Sequence, residues 1–397
     1  MNTILPKFFI PTIAVITVLA PFAIDVSLPS LPFIAIYLST SDKLAQYTIT
    51  VFLLGFALGP LIFGPISDAL GRRKLINVSL LSFSIFSLLC AISENIIILL
   101  IFRFLQAVSG SIATVCGRAC IADLLSGNEL AKQLSIIGVL LNLAPILAPI
   151  FGAWVILYFE WQFTYYFMCI CGFLFLIQSI IFIPETLKLE NRITLDFLNV
   201  FQSFKLILSN KVAMLFILYL SSSSAVFFAF LTSSPYIYIE KFSISPLAYS
   251  YIFGAGACIT LLSNLLVYWF LKYINYRSII TLISFLMIFN SIILILGGFQ
   301  ILGKWAIYAP GLTFMALFHI ANVTGLTGLL DLYKKKLKGT ASALAISFRF
   351  TFGMIGSLLV TLFFNSTMWP YIIVVMIFTL ITSSSGFFSL YLSKNST

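Results

Sequence analysis

Four ionisable side chains, Asp25, Arg103, His319 and Arg349, stand inside stretches of chain that are otherwise almost wholly apolar. A charge in hydrocarbon costs about 2.5–3.5 kcal/mol on insertion scales, so each is expected to meet a partner or a wet cavity. An aspartate beside an arginine can exchange a proton: the cation favours the carboxylate, whereas closure and desolvation favour the acid. Asp25 is therefore read as the protonatable group and Arg103 as the residue that tunes it. Counted along their helices, Asp25 lies roughly 17 residues from one membrane face and Arg103 roughly six from the other, which places both in one outward-leaning half. A permanent ion pair, or an aspartate that merely ends a helix, is the plainer alternative. Arg349, roughly nine residues into its stretch, and His319, roughly fourteen into its own, reach the midplane, where small-molecule sites of membrane proteins cluster. A cavity holding Arg103, Arg349, His319 and one aspartate should prefer neutral or anionic solutes over lipophilic cations. Here the alternatives are a snorkelling arginine and a hydrogen-bonded core histidine. Phe227, Phe228 and Tyr236 are plausible lining, although among 41 phenylalanines most must pack or face lipid.

The elements that must position these groups follow from composition. Of 397 residues 61% are hydrophobic and 9% charged, against roughly 25% charged in soluble domains, and the mean hydropathy is +1.12. Apolar stretches fall at roughly 8–30, 45–67, 75–93, 97–117, 133–157 and 162–183, then at 212–234, 247–271, 278–298, 305–330, 341–363 and 370–392. Each is long enough to cross about 30 Å of hydrocarbon as a helix. A transmembrane barrel would alternate apolar and polar residues, and runs such as Ile96 to Ile101 do not. The expected fold is an all-α polytopic membrane protein of about twelve spans in two pseudo-symmetric six-helix bundles. The first stretch contains Asp25 and lacks a small-residue cleavage site, so it is expected to be a retained helix rather than a leader.

Charge placement supports an even number of spans. Of the 22 basic residues, all but five fall in loops on one side, with Lys43, Lys241 and Lys304 on the other and Arg103 and Arg349 within spans. The rich side, with both termini, is expected to be cytoplasmic. This sorting also accounts for the net charge of +10 without nucleic acid as a partner. Six cysteines in apolar spans show neither zinc spacing nor a disulfide framework. The polar stretch 184–211 is expected to be a cytoplasmic central loop between bundles 1–183 and 212–397. Asp123-Leu124-Leu125 and Asp331-Leu332-Tyr333 occupy equivalent places in the two halves, 208 residues apart, as parallel repeats in transporters would.

The most specific local pattern is Gly64-Pro65-Ile66-Ser67-Asp68-Ala69-Leu70-Gly71-Arg72-Arg73-Lys74. Gly71 permits a tight turn, Asp68 can pair with basic side chains at a helix end, and Arg72 and Arg73 stay on the positive side. The pattern resembles the loop signature of the major facilitator superfamily, with Ala69 where that family often has a basic residue. Ile24-Asp25-Val26-Ser27-Leu28-Pro29-Ser30-Leu31-Pro32, Arg103-Phe104-Leu105-Gln106 with Gly110, and Ala144-Pro145-Ile146-Leu147-Ala148-Pro149-Ile150-Phe151-Gly152 resemble the drug:proton antiporter branch, specifically the bicyclomycin-resistance (Bcr/CflA) group. Ala153 replaces that group's usual second glycine. Pro184-Glu185-Thr186-Leu187 and Gly339-Thr340-Ala341-Ser342-Ala343 are similar to its sequences as well. The resemblance implies gating or conformational roles for Gly64, Asp68, Gly71, Arg72, Arg73, Pro145, Pro149 and Gly152. Physically, Pro145 and Pro149 remove donors and can bend the fifth span, while Gly138 and Gly152 allow close helix approach. Arg349 departs from the neutral residue expected in the eleventh span of such relatives.

These readings converge on an expectation of proton-coupled export of a small molecule from a bacterial inner membrane by alternating access, of the multidrug type by resemblance. The alternative is a dedicated exporter of an anionic natural product such as a polycarboxylate siderophore, motivated by Arg349. Protons, a small-molecule substrate and the bilayer are the expected partners of a monomer. No cofactor is expected beyond the proton motive force, since no nucleotide-phosphate loop, paired catalytic acids or metal cluster is visible. An enzyme would need clustered acidic or histidine side chains, and a channel a pore helix with charged or carbonyl rings.

Overall fold

A chain in hydrocarbon must satisfy its own backbone, so long apolar stretches fold as helices that break only where proline or a turn intervenes. The computed structural model describes residues 8–125, 127–187, 189–192, 197–270, 273–303, 305–333 and 335–395. Among them are helices and turns and no strand, and twelve segments are long and apolar enough to cross a membrane. Lys304 lies outside the described residues. The first half contains α1 (Phe9–Asp25), α2 (Leu31–Tyr37), α3 (Asp42–Leu70), α4 (Arg72–Ala91), α5 (Ile96–Leu124), α6 (Gly127–Tyr158) and α7 (Gln162–Phe182). The second contains α8 (Phe197–Ser209), α9 (Lys211–Pro235), α10 (Pro246–Phe270), α11 (Tyr276–Gly298), α12 (Trp305–Asp331), α13 (Lys335–Leu362) and α14 (Trp369–Asn395). Polar caps set several starts: Ser41, Asn95, Asn210 and Asn275 accept first-turn N–H groups of α3, α5, α9 and α11, each replacing a bond the helix cannot make for itself.

Two compact units meet between Phe197 and Leu198, inside the stretch expected to be a loop. In the first unit α1 lies against α5, α6 and α7, α3 against α5, and α4 against α5 and α7. In the second α9 lies against α12, α13 and α14, α10 against α12, and α11 against α12 and α14. Taken span by span, the internal packing plan is the same. Asp123 closes the region of α5 that Asp331 closes in α12, so the short repeat marks corresponding points of two similar units. Apolar stripes remain uncovered, such as Val78, Leu81 and Ile85 on α4, at the spacing of one helix face. That face suits lipid.

Two expectations are corrected. The first span does not end near residue 30 but continues to Tyr37, 29 residues in all, because the chain re-enters a helix after its prolines. The 184–211 stretch is not all loop, since α8 occupies Phe197–Ser209 with Ile207 buried and Lys205 and Leu206 exposed.

Candidate functional site

Asp25 is the last residue of α1. Pro29 has no N–H to donate to the Asp25 carbonyl four residues back, and Pro32 likewise cannot serve Leu28, so the ladder cannot run through. The chain turns at Val26-Ser27, makes a short 3-10 turn over Leu28–Ser30 and resumes as α2. Hydroxyls reinforce the turn's backbone bonds: Ser27 Oγ donates to the Ile24 oxygen and Ser30 Oγ to the Ser27 oxygen, each at 2.7 Å, beside the amides of the same residues. Asp25 thus sits at a discontinuity, as the 17th of 29 residues of its span. It lies two residues past the middle of that span, toward the end away from the N-terminus.

Arg103 of α5 is wholly buried and closes on this break. Its Nη1 donates to Gln106 Oε1 at 2.8 Å and, more loosely, to the Ala23 oxygen at 3.4 Å, and its Nη2 donates to Ser27 Oγ at 3.1 Å. The guanidinium lies 4.4 Å from the Phe52 ring centroid and 5.4 Å from that of Tyr165, within cation–π range. Gln106 Nε2 in turn donates to Ser87 Oγ at 2.7 Å. The permanent ion pair that was the plainer alternative does not form: the ion pairs among the described residues leave Asp25 out. Arg103 instead grips the chain on either side of Asp25, where the negative end of the α1 dipole and its freed carbonyls attract a cation. From α6, Gly152 abuts the same break, since a Cβ there would collide with the Val26 carbonyl oxygen. Helix α6 continues through Pro145 and Pro149.

A second cluster in this unit joins helix ends. Gly71 separates α3 from α4 with φ 100° and ψ 154°, a backbone region that essentially only glycine adopts. A Cβ there would also stand 2.6 Å from Glu185 Oε2 and 2.7 Å from Arg192 Nη2. Glu185 Oε1 accepts from the Arg72 amide at 3.0 Å and the Leu187 amide at 3.1 Å, and Arg192 approaches Oε2 at 3.8 Å. The Arg72 side chain pairs with Asp68 at 2.5 Å and Asp123 at 3.2 Å and donates to Ser67 Oγ. Asp123 Oδ2 also accepts from Thr186 Oγ1 at 3.0 Å. Arg73 reaches the Ile180 carbonyl at 2.7 Å. The turn is thereby tied to the ends of α5 and α7. The Gly64 carbonyl accepts from the same Ser67 Oγ at 2.8 Å, and a Cβ added at Gly64 would meet open space. Asp123, Glu185 and Thr186 stand in patterns legible in the sequence, but nothing local marks them as partners of Arg72.

In the second unit Arg349 and His319 do come together, on Phe318. The Arg349 guanidinium lies 5.7 Å from the Phe318 centroid and 4.9 Å from that of Phe350, and the His319 ring stands edge-on to Phe318 at 4.7 Å. Phe227 stacks on Phe318 at 4.5 Å and touches Phe228 at 5.0 Å. Tyr236 is apart from this cluster, against Phe364 at 4.6 Å and bonded to the Ser366 carbonyl. Sequence reasoning missed Phe52, Tyr165 and Ser87 around Arg103, since each is one among many residues of its type in apolar helices.

Twelve spans in two units of like internal plan, with charged side chains held mid-membrane, define a polytopic transporter. The chain belongs to the Major Facilitator Superfamily, whose model matches residues 13–357. This is a family of membrane transporters and not of enzymes. A bicyclomycin resistance protein homolog of Haemophilus influenzae is 27% identical over 89% of either chain. An uncharacterized MFS-type transporter of Bacillus subtilis, YdgK, is 34% identical, and the match spans only 61% of either chain. The multidrug resistance protein MdtL of Escherichia coli O157:H7 is 32% identical over 45% of this chain and 46% of its own. Such relatives agree with the drug:proton antiporter group. Among solved structures, the nucleoside transporter NupG aligns over 97% of this chain and 99% of its own with a TM-score of 0.77 at 12% identity. A bacterial homolog of the human lysosomal transporter Spinster aligns over 98% of each at 0.76 and 14%. Likeness at that identity speaks for the major facilitator fold.

Proposed function

We propose that this transporter is a proton-coupled exporter of the multidrug type, working as a monomer in a bacterial inner membrane with both termini in the cytoplasm. The observation that carries the reading is Asp25, a carboxylate outside every ion pair found among the described residues, at a helix break that Arg103 braces from both sides. A mid-membrane acid without a fixed counter-ion changes protonation when its surroundings alternate between wet and closed. Proton uptake from one face and release to the other then drives solute the opposite way, and the proton motive force replaces a cofactor. The names borne by the Haemophilus influenzae and Escherichia coli relatives support export and drugs as substrates. Asp25→Asn should abolish drug efflux driven by a pH gradient in inverted vesicles while the protein remains folded and inserted. Efflux that persists with its proton dependence intact would refute this role.

The second reading is dedicated export of an anionic natural product, such as a polycarboxylate siderophore. It is favoured by the Arg349–Phe318–His319 arrangement in a half whose only acidic residues are Glu240 and Asp331. Comparing metabolites released with and without the gene, in iron-poor and iron-rich medium, beside a drug-susceptibility panel separates the two. Loss of a secreted carboxylate-rich chelator without drug hypersensitivity favours the second reading; hypersensitivity with unchanged secretion favours the first.

A further inference from the structure

One set of side chains in the first unit carries polar atoms that the contacts above leave unpaired. Gln46, Arg103, Trp161, Gln162, Thr164 and Tyr165 each hold an enclosed nitrogen or oxygen with no hydrogen-bond partner among the described residues, and each residue is at least nine-tenths buried. One such group left unpaired costs about 1–3 kcal/mol, so a concentration of them is a place where internal water is bound. Their positions are not scattered. Gln46 is in the second turn of α3, and Trp161 to Tyr165 are the cap and first turn of α7. Arg103 is further along α5. The rings form a series: exposed Tyr37 lies 5.8 Å from Trp161, Trp161 lies 5.7 Å from Tyr165, and Tyr165 lies 5.4 Å from the Arg103 guanidinium. Arg103 then bonds to Ala23 and Ser27, two residues to either side of Asp25. Of the elements packed on α1, α5 brings Arg103 and α7 brings Tyr165 toward this break, and α6 brings Gly152.

We infer that these polar atoms hold a chain of bound water from the surface beside Tyr37 to Asp25, and that it admits protons from the membrane face opposite the Arg72 turn. The Tyr165 hydroxyl is a positioning residue of this path. A proton passes from water to water, each oxygen accepting one and releasing one, and ends on the Asp25 carboxylate with no side chain of the path altered. The inference rests on the reading of Asp25 as the protonated group.

Proton uptake needs no transported substrate and so tests it directly. Purified full-length protein in detergent is jumped from alkaline to mildly acidic medium, and the protons it takes up are followed with the pH dye pyranine. Asp25→Asn should lose the uptake belonging to that carboxylate. Tyr165→Phe, which keeps the ring against Trp161 and Arg103, should keep the full amplitude and slow the rate about tenfold, the effect of one lost hydrogen bond. Thr164→Val serves as a second removal of a path hydroxyl, should Tyr165→Phe not fold. Wild-type rates in the folded variants, with the amplitude lost in Asp25→Asn, would overturn the water path alone. Full amplitude in Asp25→Asn would overturn the assignment of the proton to Asp25, and the path to it with it.

Discussion

Replacing Gly71 by alanine tests the turn between α3 and α4 through two separable costs. The first is backbone: at φ 100° and ψ 154°, a residue with a Cβ is strained by about 2 kcal/mol. The second is contact: the new Cβ would stand 2.6 Å from Glu185 Oε2, so the carboxylate must retreat and weaken the bonds it accepts from the Arg72 and Leu187 amides. Because Glu185 is partly exposed, that loss is about 1 kcal/mol. Gly71→Ala should therefore destabilise the first unit by about 3 kcal/mol. At about 2–4 °C per kcal/mol for a unit of this size, the melting temperature falls by about 6–12 °C. In a Glu185→Ala background there is no carboxylate to displace, and the same change should cost only about 2 kcal/mol. The assay is thermal stability of the four members of the cycle, tagged and detergent-solubilised, read by fluorescence size-exclusion chromatography. Equal losses in both backgrounds would refute the Glu185 contact, and no loss in either would refute the backbone geometry.

Arg103→Lys should cost about 2–4 kcal/mol in the same assay, because an ammonium cannot serve Gln106, Ser27 and Ala23 together while lying flat on Phe52. A melting point within a degree or so of wild type would contradict that geometry. Gly152→Ala should cost about 1–3 kcal/mol by forcing α6 from the Val26 carbonyl, with Gly138→Ala as a control whose added methyl meets nothing within 4 Å; equal melts for the two would remove the contact. Arg349→Gln should weaken binding of anionic solutes more than of cationic ones, measured as dissociation constants on purified protein, and equal effects would leave Arg349 as a packing residue of the Phe318 cluster.

The spans were legible because length and apolarity suffice to define them. What the pattern concealed were interruptions. Pro29 and Pro32 read as the end of a span, yet the apolar residues from Phe33 to Tyr37 carry the chain on into α2. The charged residues of 184–211 likewise masked the apolar positions three and four apart that fold α8. For the candidate site, counting along helices gave depth but not rotation, and so could not tell that Arg103 would reach Ala23 and Ser27 instead of the carboxylate between them. The Gly71 turn was recognisable because its residues are consecutive. Its anchor, Glu185, is 113 residues away, and local spacing carries no information about such a partner. Phe52 and Tyr165 were invisible for another reason: burial and aromatic character are what any span offers.

The uneven lengths of the spans matter for how this protein meets its bilayer. The second and fourth spans have 29 residues and the sixth, the least buried, has 21. A 21-residue helix fits about 30 Å of hydrocarbon upright, whereas a 29-residue helix exceeds it by about 13 Å and must tilt or overhang. Asp68 and Asp123 occupy the ends of those two long helices. An overhang there lifts their bonds with Arg72 into the headgroup layer, where anionic lipids compete for the guanidinium and salt screens the pairing. The thickness and headgroup charge of the host membrane thus become determinants of how firmly that turn is held.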